Sequence, residues 1–425
     1  MTLAELSLAA LLIAIVVSCV SQLNVGVLAL AFAWIVGVYI GGMSLNEVIG
    51  AFPVQLFLML VGVTLLFSQA QLNGTLDRLA HNAVRLCRGN VGLIPVMFFL
   101  LACGIASLGP GNVSTAAMLA PVAMAVSARA RIPAFLMAIM VGNGAQAGSL
   151  SPFAPTGIIV NGLMEKIGLG GHEVWNYSSN LVAHAAVAFG GYVLLGGIAL
   201  FRRGSEAAPV QGAVGRTLSG PPDPAPAADT FARAHWVTLA AILGVILSVL
   251  FLGANIGMAA FTGAVVLAVL RVADHEQAIK KIPWTPIVMV TGVTVLIGLL
   301  ERTGGLDLFT SVLARFATQG TVTGMIAFLT GVISVYSSTS GVVLPAFLPT
   351  IPGLIMRLGG GDPLALAASM NIGAHLVDMS PLSTTGAICV AAITDPAEVK
   401  RTYNKLLIWG MSMCVVGGVL CWVFL

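Results

Sequence analysis

Long apolar runs, separated by short polar segments, make up most of this chain. A run of about 20 apolar residues crosses the hydrocarbon core of a bilayer as an α-helix. The pattern therefore predicts an all-α polytopic membrane protein. The runs lie near residues 5–22, 24–42, 53–72, 132–147, 178–200, 236–252, 255–271, 284–302, 363–394 and 403–425.

The second half of the chain repeats the first at an offset of about 230 residues. Chance matches would not keep one offset at three separate places. Interrupted hydrophobic segments at corresponding positions of two halves indicate the binding site of a secondary transporter. The three matches are Gly62-Val63-Thr64 with Gly292-Val293-Thr294, Gly74-Thr75-Leu76-Asp77 with Gly304-Gly305-Leu306-Asp307, and Ser151-Pro152-Phe153-Ala154-Pro155-Thr156-Gly157 with Ser380-Pro381-Leu382-Ser383-Thr384-Thr385-Gly386.

Residues 202–235 break the apolar pattern with arginines and a proline-rich run, so they predict an extramembrane linker between repeats 1–201 and 236–425. Five membrane helices in each repeat is an odd number, so the second repeat is inverted. With the linker in the cytoplasm, 15 of the 19 Lys and Arg residues lie on the cytoplasmic side. We expect a bacterial-type inner (plasma) membrane protein with both termini outside.

An uncharged stretch in each half carries a small polar cluster in its middle. Residues 91–128 contain the cluster 109–115, and residues 321–356 contain the cluster 337–341. The apolar arms beside each cluster have about 13–18 residues, which is shorter than a full span. We predict two re-entrant hairpins with polar tips. Two complete helices joined by a short turn are the alternative reading of each stretch.

The repeated Ser-Pro motifs interrupt two further apolar segments, residues 132–168 and 363–394, which are predicted as broken helices. Unwound carbonyls and hydroxyls suit a hard cation such as sodium, and helix N-termini attract anions. Capping or back-bonding is the alternative role for each Ser and Thr. The candidate substrate- and ion-binding residues are Asn112, Ser114, Thr115, Ser149, Ser151, Pro155, Thr156, Ser337, Ser338, Thr339, Ser340, His375, Asp378, Ser380, Ser383, Thr384 and Thr385, with sodium expected at Asn112, Ser338 and Asp378.

Asp378 is the clearest charge at membrane depth, and His375 precedes it by one helical turn. Ionisable residues inside a membrane mark ion or substrate pathways. The alternative is that Asp378 caps the half-helix after the break. The corresponding first-half residues are Ser149 and Gln146, which are neutral, so any cation role is one-sided. His184 is expected to be a hydrogen-bonded packing residue.

Composition limits the function further. Hydrophobic residues make up 58% of the chain and charged residues 8%, and the mean hydropathy is +1.00. Soluble domains carry about 25% charged residues, so the chain belongs in the lipid bilayer. The six cysteines form no CxxC pair and are expected to pack as small hydrophobic residues. Basic residues form no patch with aromatics, and no catalytic motif is present, so we expect neither nucleic-acid binding nor an enzyme.

The polar clusters resemble those of the ion transporter superfamily, within it the divalent anion:sodium symporters, and most of all bacterial dicarboxylate carriers of the malonate-carrier type. That family repeats a Ser-Asn-Thr signature at two hairpin tips. Here the first tip keeps Asn112, with Gly111 and Val113 in the flanking places. The second tip keeps Ser337 and Thr339. The departures leave the sodium sites and the substrate open.

The resemblance implies a homodimer in the lipid bilayer, each protomer having a scaffold domain and a transport domain that moves as an elevator. Segments 75–88 and 305–318 would couple the two domains. Import of a small dicarboxylate is expected, malonate first and succinate or malate next, driven by sodium or by protons through Asp378 and His375. No other cofactor is expected. A cation/proton antiporter without an organic substrate is the main alternative, and a channel is the next.

Overall fold

The computed structural model describes residues 1–21, 23–79, 91–202 and 231–425, and the regular structure within them is entirely helical. The helices are α1 (Leu3–Val20), α2 (Val25–Ile40), α3 (Leu45–Ile49), α4 (Val54–Leu72), α5 (Leu93–Leu108), α6 (Gly111–Arg129), α7 (Ala134–Gly148), α8 (Pro155–Lys166), α9 (Glu173–Leu194), α10 (Gly197–Arg202), α11 (Arg233–Leu252), α12 (Ile256–Val269), α13 (His275–Lys280), α14 (Trp284–Thr303), α15 (Gly305–Ala314), α16 (Val322–Ser334), α17 (Thr339–Leu358), α18 (Pro363–Leu376), α19 (Thr384–Ala391) and α20 (Pro396–Phe424).

The predicted all-α polytopic fold is confirmed at this level. Among the described residues, six helices are long and apolar enough to cross a membrane, and further apolar helices are shorter. Most of the predicted linker 202–235 and the second part of the amphipathic segment 75–88 lie outside the described residues.

Several helices begin at a capping side chain in the loop before them. The Asn24 Oδ1 atom accepts a hydrogen bond from the Gly26 N–H, and the Asn255 Oδ1 atom accepts one from the Gly257 N–H, both at 3.0 Å. A side-chain acceptor at this position satisfies one of the free N–H groups of a first helical turn. The same cap therefore begins α2 and α12, about 231 residues apart.

The same two asparagine-capped helices also make matching crossings. Gly26 of α2 lies against the backbone of α14 at Gly292, and Gly257 of α12 lies against the backbone of α4 at Gly62. A Cβ atom on any of these glycines would overlap a main-chain atom of the crossing helix. Small residues allow helix backbones to approach closely within a membrane, where van der Waals packing replaces the hydrophobic effect. The first half thus packs on the second through two equivalent contacts.

The end of the bundle near residues 202 and 233 is fixed by polar contacts and is called the linker end below. The His235 ring bonds to the Asn73 carbonyl through Nε2 at 3.1 Å, and the Asn73 Nδ2 group donates to Thr238 Oγ1 at 2.7 Å. Helix α4 therefore ends at the linker end and begins at the opposite end.

Helices α7 and α18 form the interior of the rest of the bundle. All of α7 is buried, as is α18 from Ala365 to Leu376. A mostly apolar helix whose faces are all buried belongs to the core of a protein. Helices α5, α6 and α9 surround α7, and helices α16, α20 and α9 surround α18. The helices that lead into the two predicted breaks are therefore enclosed by the protein.

The hairpin segments differ in the lengths of their arms. The first arms, α5 and α16, have 16 and 13 residues, whereas the second arms, α6 and α17, have 19 and 20. The first arms are shorter than a full span, and the second arms reach one. The re-entrant course of both hairpins stays a prediction.

Gly62→Val tests the helix crossing. The added side chain meets the Gly257 carbonyl and the Phe261 ring, and the backbone cannot move aside without separating α4 from α12. Overpacking of this kind costs about 1–3 kcal/mol, so we expect a lower midpoint of thermal unfolding in detergent, followed by tryptophan fluorescence. Gly244→Val is the matched control, because nothing lies within 4 Å of a Cβ there. Equal midpoints for the two variants would contradict the crossing.

Candidate functional site

The two Ser-Pro breaks have the same local structure. The Ala154 N–H donates to the Ser151 carbonyl at 2.9 Å, and the Ser383 N–H donates to the Ser380 carbonyl at 3.0 Å. The serine hydroxyls also match, since Ser151 Oγ accepts from the Phe153 N–H and Ser380 Oγ accepts from the Leu382 N–H, both at 3.3 Å. Each break thus ends one helix and starts the next within a few residues.

Both polar tips are partly buried. At the first tip, Gly109 has φ = 145°, and a Cβ atom there would overlap the Phe67 ring of α4. At the second tip, Ser338 caps α17, because its Oγ atom accepts from the Gly341 N–H at 3.1 Å. Only glycine adopts the first conformation readily, so the turn before α6 requires Gly109.

Asp378 lies in the short turn Val377–Met379 between α18 and the second break, and it is 6% exposed. Its carboxylate accepts hydrogen bonds from three elements. Thr339 Oγ1 donates at 2.9 Å from the second tip, Ser383 Oγ donates at 3.3 Å from the start of α19, and Gln146 Nε2 donates at 3.0 Å from α7. A buried carboxylate needs such donors because it has lost its water.

Gln146 joins this carboxylate to the first tip. Its Nε2 group also lies 3.3 Å from Thr385 Oγ1, and its Oε1 atom accepts from Asn112 Nδ2 at 2.9 Å. The chain of contacts Asn112–Gln146–Asp378–Thr339 therefore runs from one tip to the other. Both tips, the end of α7 and the second break contribute side chains to this single network, called the central network below.

Four helix N-termini lie at the central network. Helix α6 begins beside Asn112, α17 begins at Thr339 and α19 begins next to Ser383. Helix α8 begins at Pro155, whose ring is 3.1 Å from the position of a Cβ on Gly111 at the first tip. Free N–H groups and helix dipoles place partial positive charge at such ends, which favours a bound anion.

The other candidate residues make local contacts or point to neighbouring helices. Ser149 Oγ donates to the Gln146 carbonyl, and Ser151 Oγ donates to the Ser107 carbonyl, both at 2.7 Å. The Ser337 hydroxyl lies 2.7 Å from the Ser18 hydroxyl of α1. Thr115 is buried with a hydroxyl that has no partner. The remaining positions are buried Thr156, half-buried Ser114 and Ser340, and exposed Thr384.

His375 is near Asp378 in sequence but takes part in a different set of contacts. Its Nδ1 atom donates to the Asn371 carbonyl at 2.8 Å, and no hydrogen bond joins it to the Asp378 carboxylate.

Sequence reasoning did not include Gln146 among the site residues. Gln146 corresponds in the repeat to His375, and a neutral residue at that place suggested no ion chemistry. The signal was its position three residues before the break, on the face that also carries Ser149. Ser334, whose hydroxyl contacts Thr339, is a second residue that the sequence pattern did not indicate.

The described residues contain no group of three or more His, Cys, Asp or Glu side chains arranged to hold a metal ion. The oxygen atoms of the central network belong to hydroxyl, amide and carboxylate groups. Such oxygens suit a hard monovalent cation better than a transition metal.

A cleft of about 610 Å³ opens between α4, α8, α14 and α17 at the end opposite the linker end. Lys166 and Arg302 line it together with Glu165 and Glu301, and Thr294 lies deeper on α14. The Arg302 Nη1 atom is 3.9 Å from Glu47. Residues of both charge signs lie at the opening of the cleft, and α17 forms part of its wall.

Residues 1–149 match the family model described as the N-terminus of the dicarboxylate carrier protein MatC. This match confirms the resemblance to dicarboxylate carriers over those residues. A comparison with curated protein sequences found no match. Among solved structures, the chain is similar to the YdaH transporter of Alcanivorax borkumensis, whose crystal structure is described as revealing an unusual topology.

The similarity to YdaH has a TM-score of 0.57 at 16% sequence identity and covers 99% of this chain and 97% of that one. At this identity the similarity shows a shared fold. The family match, the shared fold and the apolar helices together support a multi-pass membrane transporter.

Gln146→Met tests the central network. The variant keeps the side-chain length but removes one of the three donors to Asp378 and the acceptor of the Asn112 amide. An unsatisfied buried polar group costs about 1–3 kcal/mol, so we expect a clearly lower thermal unfolding midpoint in detergent. Gln277→Met, at an exposed position of α13, is the matched control. A midpoint equal to that of the control would show that Gln146 does not hold the network together.

Proposed function

We propose that this chain, whose first 149 residues match the dicarboxylate carriers, is a secondary active transporter of a small dicarboxylate. Malonate is our first choice of substrate, with succinate and malate next. The observation that carries the proposal, beside the family match, is the meeting of four helix N-termini at one buried polar network.

A dicarboxylate carries two negative charges, and the described residues place no buried Arg or Lys at the central network. Helix N-termini provide an alternative, because their N–H groups bind carboxylate oxygens without a full positive charge. Discontinuous helices use this device for anionic substrates in other transporters. Asn112 and Thr385 then supply hydrogen-bond donors that orient the substrate.

Asp378 gives a physical reason for coupling to a cation. Its carboxylate and a dianion would repel strongly in a medium of low dielectric constant. A sodium ion or proton at Asp378 removes this repulsion, so the substrate binds well only when the cation is present. Asn112 and Ser338 are our further candidate sodium ligands.

The proposed transport cycle is an elevator movement within a homodimer. In it, the hairpins and broken helices move as a transport domain against a scaffold that includes α4 and α14, and the two repeats are inverted. We infer the orientation from the positive-inside count, which favours a cytoplasmic linker end. The cleft between α4, α8, α14 and α17 would then open to the outside and admit the substrate.

A cation/proton antiporter is the second candidate, and Asp378 is the observation that favours it. Asp378 is the only Asp, Glu, Lys or Arg among the buried described residues. Antiporters of this superfamily usually keep more than one acidic residue in the core, which makes the carrier the better proposal.

Uptake of radiolabelled malonate into proteoliposomes tests the proposal. We expect saturable uptake with an inward sodium or proton gradient, and exchange of internal for external substrate in counterflow. Replacing sodium with choline at constant pH separates the two coupling ions. Asn112→Ala is the inactive control, because it removes the amide at the first tip. Absence of both uptake and counterflow with malonate, succinate and malate would favour the antiporter.

Asp378→Asn tests the coupling role. The amide keeps the shape of the carboxylate but removes its charge, so we expect counterflow to persist while the dependence of uptake on the cation weakens. Asp362→Asn, at the exposed cap of α18, is the control. An unchanged dependence of uptake on sodium and pH in Asp378→Asn would assign Asp378 to structure alone.

A further inference from the structure

A second buried polar cluster lies between α9 and α18, beside the central network. Each helix carries an asparagine and a histidine four residues apart, which places both on one face of the helix. The pairs are Asn180 with His184 and Asn371 with His375. All four side chains are at most 1% exposed, and the two helices pack against each other. Val187 of α9 and Ile372 and Leu376 of α18, close in sequence to the two histidines, belong to one buried apolar cluster.

The hydrogen bonds of His184 fix its tautomer. Asn143 donates through Nδ2 to the Ile139 carbonyl at 2.9 Å, so its Oδ1 atom is an acceptor. His184 Nδ1 lies 2.9 Å from that Oδ1 atom and must therefore carry the proton. In a neutral imidazole, the other nitrogen is then an acceptor. His184 Nε2 is buried with a free lone pair and no partner.

His375 has the same tautomer for the same reason. Its Nδ1 atom lies 2.8 Å from the Asn371 carbonyl, which can only accept, so Nδ1 carries the proton. His375 Nε2 is buried, and it also has a lone pair without a partner. The two histidines thus present two bare imidazole nitrogens within one packed pair of helices.

The asparagines add further unsatisfied acceptors. Asn180 donates through Nδ2 to the Gln146 carbonyl at 2.8 Å, which leaves its Oδ1 atom as a buried acceptor without a partner. The Asn371 Oδ1 and Nδ2 atoms are also buried without partners. Leaving such groups unpaired is costly, and here acceptors outnumber donors. A surplus of acceptors calls for a ligand that donates hydrogen bonds or carries positive charge.

Few other titratable groups lie near this cluster. On the elements packed against α9 and α18, Asp378 is the buried carboxyl group, and Cys414 and Cys421 of α20 are the buried thiols. Glu173, Tyr177 and Tyr192 lie on α9 itself. The remaining charged and tyrosine groups on those packed elements lie toward the helix ends: Glu165, Lys166, Arg357, Glu398, Lys400, Arg401, Tyr403 and Lys405.

We propose that His184 and His375 together bind one coupling proton. The proton adds to one Nε2 atom and makes that ring an imidazolium, whose new N–H donates to the second Nε2 directly or through a water molecule. Asn180 Oδ1 and Asn371 Oδ1 accept from the same water or ring. This inference deepens the proposed function and rests on it, since it gives the proton-coupled form of the carrier its own binding pair.

The ligand chemistry favours a proton over a metal ion. A divalent metal would bury two positive charges among four neutral side chains, and sodium prefers oxygen to imidazole nitrogen. The positive charge of one proton is balanced by Asp378, which lies one turn after His375 along the chain. Asn180 also lies next to the central network, because its Nδ2 group donates to the main-chain carbonyl of Gln146.

Proteoliposomes with a trapped pH-sensitive dye test the proposal by measuring proton flux and substrate uptake together. The variants are His184→Asn and His375→Asn, because an asparagine keeps a donor near Nδ1 and removes Nε2. His172→Asn, outside the buried cluster, is the control. We expect both variants to lose the proton flux that accompanies uptake, down to the level of empty liposomes, and His184→Asn to retain counterflow. The control should keep both.

The outcomes separate this inference from the proposed function. Wild-type counterflow without proton flux, or variants with the wild-type flux and pH profile, would overturn the proton pair and leave the carrier standing. Absence of wild-type counterflow with any dicarboxylate would remove the proposed function and the pair with it. Tight Zn²⁺ binding that either substitution abolishes would replace the proton with a metal ion.

If the asparagine variants do not fold, two further measurements take their place. His184→Gln and His375→Gln keep an acceptor near Nε2 that cannot hold a proton, and the expected loss of proton flux is the same. Proton uptake by the purified wild type on mixing with substrate in weak buffer needs no variant. No uptake of protons in that measurement would also overturn the proposal.

Discussion

The burial of one carboxylate constrains much of this molecule. Asp378 lies inside an apolar bundle and keeps its hydrogen bonds only if Thr339, Ser383 and Gln146 stay around it. These three donors come from the second tip, the start of α19 and the end of α7. Because the penalty for an unpaired buried charge is large, the burial of Asp378 favours keeping these interrupted segments together. The two halves are therefore joined through a buried carboxylate that only the second half carries.

The sequence located the two helix breaks, but it did not show which residues pair with the side chains beside them. The offset of about 230 residues and the Ser-Pro motifs led to both breaks, and their matching hydrogen bonds follow from the same residues at Ser151 and Ser380. Local motifs are readable because a few neighbouring residues determine them. The pairing of Gln146 with Asp378 joins residues 232 positions apart, and no local pattern contains that information.

His184 shows a second limit of reading the chain alone. A single histidine in an apolar run is usually a packing residue, and its bond to Asn143 agrees with that expectation. His184 is distinguished by α18, the helix that packs against α9. The spacing Asn-x-x-x-His occurs on both α9 and α18, and it gains meaning only because these two helices pack together. Which helices meet depends on the whole set of apolar faces, and many arrangements satisfy composition equally well.

The two glycine crossings have a consequence for each half of the chain taken alone. Helix α2 of the first half packs on α14 of the second, and α12 of the second packs on α4 of the first. Each half therefore packs its asparagine-capped helix on a helix of the other half. A chain with only one of the halves would leave both glycine faces without the helices that cover them here. Each half therefore depends on the other to bury its own helices.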